Sequence, residues 1–376
     1  MFSVTSGDFN IMKKVLICVK KSRTDSYVGG VITIVNNYLA NFQKFSRGGY
    51  KLSLFDYHMK RCFQNSKINN VIYGFAQCGA IQRRLRDQQY DVVHIHTSCQ
   101  FLYLKDVWLA RTIKKKRNIP VYITIHVGAA DTVFKRIGFT GKQTIHWINK
   151  YVDKVIFLSD KIRDEFIQLG MIPERGTVLR NFHNLEKVPV DQELPAIAQL
   201  HLLFVGAIHR DKGILELLTA LIALPAIDFH LDICGMLTDQ SIKAEVEELI
   251  SKLGSRVTLH GYVKGQKKAA LFHRADVLLL PSYHEGFPLV ILEALASGCA
   301  IISTPVGATP EVLDESNAVW VPIGCSEAIR NAIIRLAEDE TLLMNMKQEN
   351  RNLSGDYSVE SHIQKLCQIY DEQLKG

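Results

Sequence analysis

Ten short runs rich in apolar and β-branched residues, at 15–19, 52–55, 92–95, 121–125, 155–158, 202–205, 230–234, 257–259, 277–280 and 300–303, alternate with helix-length stretches along almost the whole chain. Short, nearly continuous apolar strands separated by helices are what a parallel sheet covered on both faces requires. Each strand pair is then joined by a right-handed crossover. The rhythm breaks once, at LEKVPVDQELPAIAQL (185–200), which has two prolines, mixed charge and no period. This reads as an interdomain linker. The expected fold class is therefore α/β, with two Rossmann-like domains at 1–185 and 200–357. Ligands in such sheets bind beyond the carboxyl ends of the strands, so both halves are expected to present their strand-to-helix loops to a central cleft.

Composition narrows the classes further. At 47% hydrophobic and 22% charged residues the chain matches neither a disordered nor a fibrous protein. No apolar run approaches the roughly 18–20 residues of a bilayer-spanning helix. The first ten residues are polar, and 15–19 is too short for the apolar segment of a signal peptide. Eight cysteines are scattered without a C-x-x-C pair, which argues against a zinc site or a disulfide framework and fits a reducing cytoplasm. The net charge of +7 is unevenly spread. Residues 1–150 carry 24 basic and 7 acidic side chains, whereas residues 151–376 carry 21 and 31. The basic half suits nucleic acid, a phospholipid surface or an acidic substrate; the alternative is two solvated surfaces of unequal composition.

Chemistry concentrates at ADVLLLPSYHEGFPLVILE (275–293). A buried strand ends at Pro281, a loop carries Glu285, Gly286 and Phe287, and a helix runs from Pro288 to about Ser297. Proline suits the first helical position, because its φ is already helical and its missing N–H has no partner there. The N–H groups of Leu289 and Val290 would then face outward at the positive end of the helix, an anion site. Glu285 and Glu293, eight residues apart, would be separated by about 12 Å along a helix. A glycosidase carboxylate pair stands ~5–9.5 Å apart, so these two suit separate parts of one long ligand. Upstream, Gly29-Gly30 after the first strand offers either a phosphate loop or an ordinary tight turn.

These motifs together resemble the retaining GT-B glycosyltransferases of family 4, known as glycosyl transferases group 1. The family's Glu–seven residues–Glu element appears as Glu285-Gly286-Phe287-Pro288…Glu293 after Pro281-Ser282. The similarity continues through 294–298, 303–307 and Pro310-Glu311. Upstream it includes 203–206, Asp211-Lys212-Gly213, 257–263 and 270–277; in the first half, Gly29-Gly30-Val31, His94-Ile95-His96 and Thr124-Ile125-His126. The resemblance implies transfer of a sugar, with retention, from a nucleotide-diphosphate sugar to an acceptor hydroxyl. It implies that Lys212 neutralises the diphosphate leaving group, a form of electrostatic transition-state stabilisation. Glu285 would bind donor-sugar hydroxyls and Glu293 the ribose, with main-chain groups around Tyr262 and Val263 at the base. His126 would lie near the transferred sugar. Family members carry an Arg where this chain has Ala207; Arg210 is the nearest replacement, with a guanidinium suited to phosphate. The expected catalytic residues are thus His126, Glu285 and Lys212. The expected donor-binding residues are Gly29, Gly30, Arg210, Lys212, Tyr262, Val263, Gly286, Phe287, Pro288, Leu289, Val290 and Glu293.

No Asp-X-Asp occurs, so the usual carboxylate pair for a metal–diphosphate is missing; no metal or other cofactor is expected. The resemblance also implies an acceptor domain in the first half, a glycan or lipid-linked acceptor, and a terminal helix at about 358–374 packing back on that domain. Arg83, Arg84, Arg86 and Lys114–Arg117, next to the apolar stretch 101–109, point to peripheral contact with an anionic membrane. The alternative there is a core helix with a solvated cationic end. The expected setting is bacterial surface polysaccharide or lipid-linked glycan assembly, in the cytoplasm or at the inner face of its membrane. Two other readings stand beside this one. A nucleotide-sugar 2-epimerase shares the architecture, and a nucleic-acid-binding protein would use the basic half, although no helix-turn-helix, finger or RNP signature is present.

Overall fold

The computed structural model describes residues 12–19, 30–56, 67–97, 102–126, 139–185 and 199–374, with the side chains of 67–75, 102–104 and 139–140 set aside. The chain divides into two compact units, Met1–Leu179 with His362–Gly376, and Arg180–Ser361. The division falls at Leu179–Arg180, earlier than the boundary at 185 read from the sequence. Asn181 already donates to the Phe287 carbonyl at 3.3 Å, and His183 bridges to Ser358, so this segment is committed to the second unit. Most of the expected linker, 186–198, lies outside the described residues.

In the first unit, described strands β1 (Lys13–Val19), β2 (Tyr50–Asp56), β3 (Val92–Thr97), β4 (Val121–Ile125), β5 (Lys154–Phe157) and β6 (Gly176–Val178) form one sheet. Its order is β2-β1-β3-β4-β5-β6, every pair parallel. The described helices are α1 (Gly30–Ala40), α2 (Phe42–Arg47), α3 (Lys67–Asp87), α4 (Leu102–Lys116), α5 (Phe139–Tyr151) and α6 (Asp160–Gln168). β3 and β4 are buried at every position, which is why they read as continuous apolar runs instead of alternating ones.

The second unit holds β7 (Leu200–Val205), β8 (Phe229–Cys234), β9 (Val257–Gly261), β10 (Val277–Leu280), β11 (Ala300–Ser303) and β12 (Ala318–Trp320). Its parallel sheet has the order β12-β11-β10-β7-β8-β9. The strand order reverses between β7 and β10, the switch point at which open α/β sheets part their loops and accept ligands. Helices α7 (Ile214–Ile222), α8 (Lys243–Leu253), α9 (Gly265–Arg274), α10 (Leu289–Ser297), α11 (Ser326–Glu338) and α12 (Glu340–Ser354) cover it. β6 and β12 escaped the sequence reading because each is a three-residue edge strand, too short to show a period.

The last helix, α13 (Val359–Leu374), returns the chain to the first unit from His362 onward. There Asp371 meets the Lys13 ammonium at 2.6 Å and accepts from the Tyr50 hydroxyl at 2.7 Å. Tyr370 is wholly buried, with its hydroxyl 2.6 Å from His94 Nδ1. Buried aromatic side chains of this size, with their polar tips satisfied, fix a helix far more firmly than its own propensity does.

Candidate functional site

The loops after β7 and β10 lie side by side at the switch point. The first turns through a short 3-10 helix, Arg210–Lys212, and ends at Gly213 with φ +67°. A Cβ there would stand 2.1 Å from the Pro281 carbonyl oxygen, so glycine is required both by conformation and by space. Tyr283 N–H donates to the Asp211 carbonyl at 2.8 Å and zips the two loops together. On the other side, Gly307 (φ +60°) presses against the Glu285 backbone; a Cβ would reach the Glu285 carbonyl oxygen at 2.2 Å. Ala308 N–H donates to Gly286 O at 2.9 Å, and Thr304 Oγ1 to Ser282 O at 2.5 Å. Three strand-to-helix loops therefore hold residues 282–287 in one position.

Glu285 is the centre of this arrangement. Its Oε1 accepts from Lys212 Nζ at 2.7 Å and from Ser282 Oγ at 2.8 Å, with only 10% of the side chain exposed. Beside it, Tyr283 OH donates to Glu216 Oε1 at 2.7 Å. Helix α10 begins at Leu289, with Pro288 as N-cap at ψ 116°. This corrects the expectation that Pro288 occupies the first helical position; the half-turn it contributes belongs to the extended loop. Gly298, at φ +72°, ends the helix, and Cys299 N–H returns to Ala294 O, a left-handed cap.

Glu293 lies one helix turn and more from that loop and has a different cation. Lys268 Nζ on α9 meets its Oε1 at 2.6 Å. Its Oε2 is buried and has no hydrogen-bond partner among the described residues. Burial raises the Glu293 carboxyl above its usual range, against the lowering pull of Lys268. The sign follows: the folded protein holds this proton more tightly than the unfolded chain. Its stabilising contribution is complete below the unfolded value of about 4.3 and is lost as pH rises through the folded value. Melting temperature measured against pH should therefore decline less over that interval in Glu293→Gln than in the parent protein. An identical slope in both would show that this carboxyl titrates normally.

Not every expected site residue joins this cluster. Arg210 is more than half exposed and its guanidinium lies 3.9 Å from Glu245 on α8, so the structure does not bring it to Lys212 and Glu285. Tyr262 and Val263 follow the end of β9, with Tyr262 exposed and Val263 buried. Gly286 is half-buried and Phe287 buried. Lys268, Ser282 and Glu216 were not singled out from the sequence as site residues. Only Ser282 carried a signal, as part of the Pro-Ser strand end.

In the first unit, Gly30 opens α1 with open space around it, and Gly29 lies outside the described residues. His126 follows β4, and its Nε2 is 3.0 Å from His96 Nδ1, the rings stacked at 5.2 Å. His94 lies next to His96, ring centroids 4.4 Å apart, and its Nε2 is 2.6 Å from Thr124 Oγ1. Burial lowers His94 and His126 to about 3 and His96 well below its usual value. All three are neutral imidazoles at physiological pH, so His126 acts as a hydrogen-bonding group and not as a cation. Within the expected apolar stretch 101–109, Val107 and Leu109 are core residues, and Trp108 packs on Trp147 at 5.4 Å with Arg111 over both rings; Phe101 and the side chains of 102–104 lie outside the described residues.

Two family models match the chain, Glycosyltransferase Family 4 over residues 48–187 and Glycosyl transferases group 1 over residues 199–339. An uncharacterised glycosyltransferase of Methanocaldococcus jannaschii is 22% identical over 357 residues, covering 92% of this chain and 95% of its own. Alpha-galactosylglucosyldiacylglycerol synthase of Streptococcus pneumoniae is 24% identical over 297 residues, 75% of this chain and 78% of that one. Among solved structures, Anabaena HepE in complex with UDP superposes with a TM-score of 0.71 at 16% identity, over 96% of this chain and 100% of the other.

Proposed function

We propose that this chain, a family-4-like glycosyltransferase of GT-B fold, moves a sugar from a nucleotide-diphosphate donor to an acceptor hydroxyl with retention and without a metal, in surface-polysaccharide or glycolipid assembly. The carrying observation is the pair of carboxylates at the switch point, each with its own lysine, one of them with an unpartnered buried oxygen. A buried acceptor without a donor costs free energy unless a ligand supplies one. A ribose hydroxyl at Glu293 Oε2 meets that need.

Each site residue has a proposed role. The Lys212 ammonium neutralises charge developing on the leaving diphosphate, and N–H groups of Leu289 and Val290 add the positive end of α10. Glu285, fixed by Lys212 and Ser282, accepts from donor-sugar hydroxyls. The Gly286-Phe287-Pro288 turn would bring backbone close to the sugar and the Tyr262–Val263 segment would meet the base, while for Gly29, Gly30 and neutral His126 the proposed roles are those the family resemblance implies, Gly29 lying outside the described residues. Arg210 has no part in this reading.

The test uses a panel of nucleotide sugars. A stabilising donor raises the melting temperature, and NMR of the product reports its anomeric configuration. Retention in the presence of chelator supports the proposal; inversion, or loss of activity restored only by a divalent metal, overturns it. Isomerised sugar without acceptor or nucleotide release would point to the epimerase instead. Glu293→Ala should weaken nucleoside diphosphate binding at least tenfold, the scale of one lost hydrogen bond to a charged group. Unchanged calorimetric affinity would remove Glu293 from the nucleotide.

A further inference from the structure

The two buried aspartates of the second unit have both carboxylate oxygens answered within the fold. Asp276 accepts from Lys347 Nζ at 2.6 Å through Oδ1 and from His201 N–H at 3.0 Å through Oδ2. Asp232 stands 2.7 Å from His260 Nε2 through Oδ1 and meets Arg274 through Oδ2. Glu293, with 12% of its side chain exposed, is different. Lys268 Nζ takes its Oε1 at 2.6 Å, while Oε2 is buried with no hydrogen-bond partner among the described residues. Glu216 Oε2 is also unpartnered, but that carboxylate forms no ion pair among the described residues; Tyr283 donates to its other oxygen.

The lysine stands where helix packing does not ask for a charge. α9 buries Ala269, Leu271 and Phe272, and Lys268, four residues before Phe272, shares its face. The ammonium lies 5.7 Å from the Phe272 ring, and the side chain is 23% exposed, whereas Lys267 beside it faces solvent. An amphipathic helix ordinarily carries an apolar residue at such a position. Stability does not call for the pair either, since well-packed hydrophobic residues in place of a buried ion pair are often neutral or stabilising. An ammonium has three donors, and among the described residues Glu293 Oε1 is the one acceptor that Lys268 Nζ reaches. An open acceptor on α10 and spare donors on α9 therefore stand side by side.

We propose that Lys268 is a second ligand-binding residue, which together with Glu293 reads a vicinal diol: one hydroxyl donates to Glu293 Oε2, and the oxygen of its neighbour accepts from Lys268 Nζ. The inference rests on the assignment of Glu293 to the donor's ribose and adds the residue that makes the site selective for ribose over deoxyribose. A hydroxyl both donates and accepts, so two adjacent hydroxyls meet a carboxylate–ammonium pair with complementary, charge-assisted hydrogen bonds. A ligand lacking either hydroxyl leaves Oε2 or the ammonium unpaired. That is the situation in which a site built around hydroxyls discriminates most strongly. Lys268 also favours the ionised carboxylate, drawing down a Glu293 that burial pushes up, and the ionised form is the stronger acceptor.

Calorimetry of the full chain with UDP, GDP and ADP, each beside its 2′-deoxy and 3′-deoxy analogue, tests it. With the base that binds most tightly, the parent protein is expected to prefer the ribonucleotide over both analogues by roughly tenfold or more. Lys268→Met should weaken ribonucleotide binding about tenfold and bring the preference over one of the two analogues to within about threefold, because the donor to that hydroxyl is gone. Loss of a merely structural lysine would weaken all three ligands alike and leave the ratios untouched. Lys268→Arg, which keeps the charge and the donors, should restore most of the preference. Should Lys268→Met not fold, Lys268→Gln carries the same comparison with a smaller loss, and the analogue series on the parent needs no variant. Equal binding of ribo- and deoxyribonucleotides by the parent, no binding of any of the three bases, or parent-like ratios in Lys268→Met would each overturn the inference. Glu293→Ala tells the two failures apart. Unchanged affinity there removes the ribose assignment and this inference with it, whereas weakened binding there beside parent-like ratios in Lys268→Met strikes Lys268 alone.

Discussion

Lys212→Ala is expected to lower kcat/KM for the donor by about 10²–10³, the usual loss when one preorganised group facing developing charge is removed. The lysine has two tasks in the structure. Its ammonium is 2.7 Å from Glu285 Oε1, and it stands where the loops after β7 and β10 part. Alanine removes the positive charge facing the proposed diphosphate. It also leaves the Glu285 carboxylate, nine-tenths buried, with Ser282 Oγ as its one remaining side-chain donor among the described residues. With one of its two donors gone, that carboxylate is also held less firmly in the position from which it would meet the sugar. Steady-state kinetics with the native donor decides the matter: a value within threefold of the parent would mean that the lysine does not face the diphosphate. Lys212→Arg separates the two tasks, because guanidinium keeps the charge and can still pair with Glu285. Glu285→Ala should reduce turnover far more than affinity for the free nucleoside diphosphate, since its proposed contacts are to the sugar.

Acid should destabilise the first unit steeply. His94 and His126 are held at about 3 by burial, well below the ~6.5 of an unfolded chain. The sign is opposite to that of Glu293: these groups contribute stability in full above about pH 6.5 and lose it as pH falls toward the folded value. Each histidine costs ~1.4 kcal/mol per pH unit in that interval, so the two together should remove roughly 3 kcal/mol by pH 5.5. That is a large share of an ordinary domain's 5–15 kcal/mol. Calorimetry from pH 7 to 5 should show a transition moving sharply downward, less so in His126→Asn. A flat profile would mean that the ring cluster takes up protons without unfolding. His94 sits between Tyr370 OH and Thr124 Oγ1, so its titration would also strain the seat of α13.

The fold was largely legible from local pattern. The strands at 121–125, 277–280 and 300–303 have the bounds read from the sequence, because a strand buried on both faces of a parallel sheet reads as a nearly continuous apolar run. The loop at 285–288 and the helix after it were equally plain, except that Pro288 caps the helix instead of opening it. Arg210 could not be placed by reading. Its position two residues before Lys212 says nothing about whether a side chain on a 3-10 turn faces the loop or, as found, Glu245.

The sequence by itself determined two parallel α/β sheets, a glycine-framed turn at 285–288, a lysine before Gly213 and an excess of cations in the first 150 residues. Only the tertiary structure decided that Lys212 meets Glu285 and that Lys268 meets Glu293. Periodicity is a relation between neighbours along the chain, so it survives in one dimension. Charge partners are set by strand order and by helix packing, which join positions 73 and 25 residues apart for reasons no local window contains.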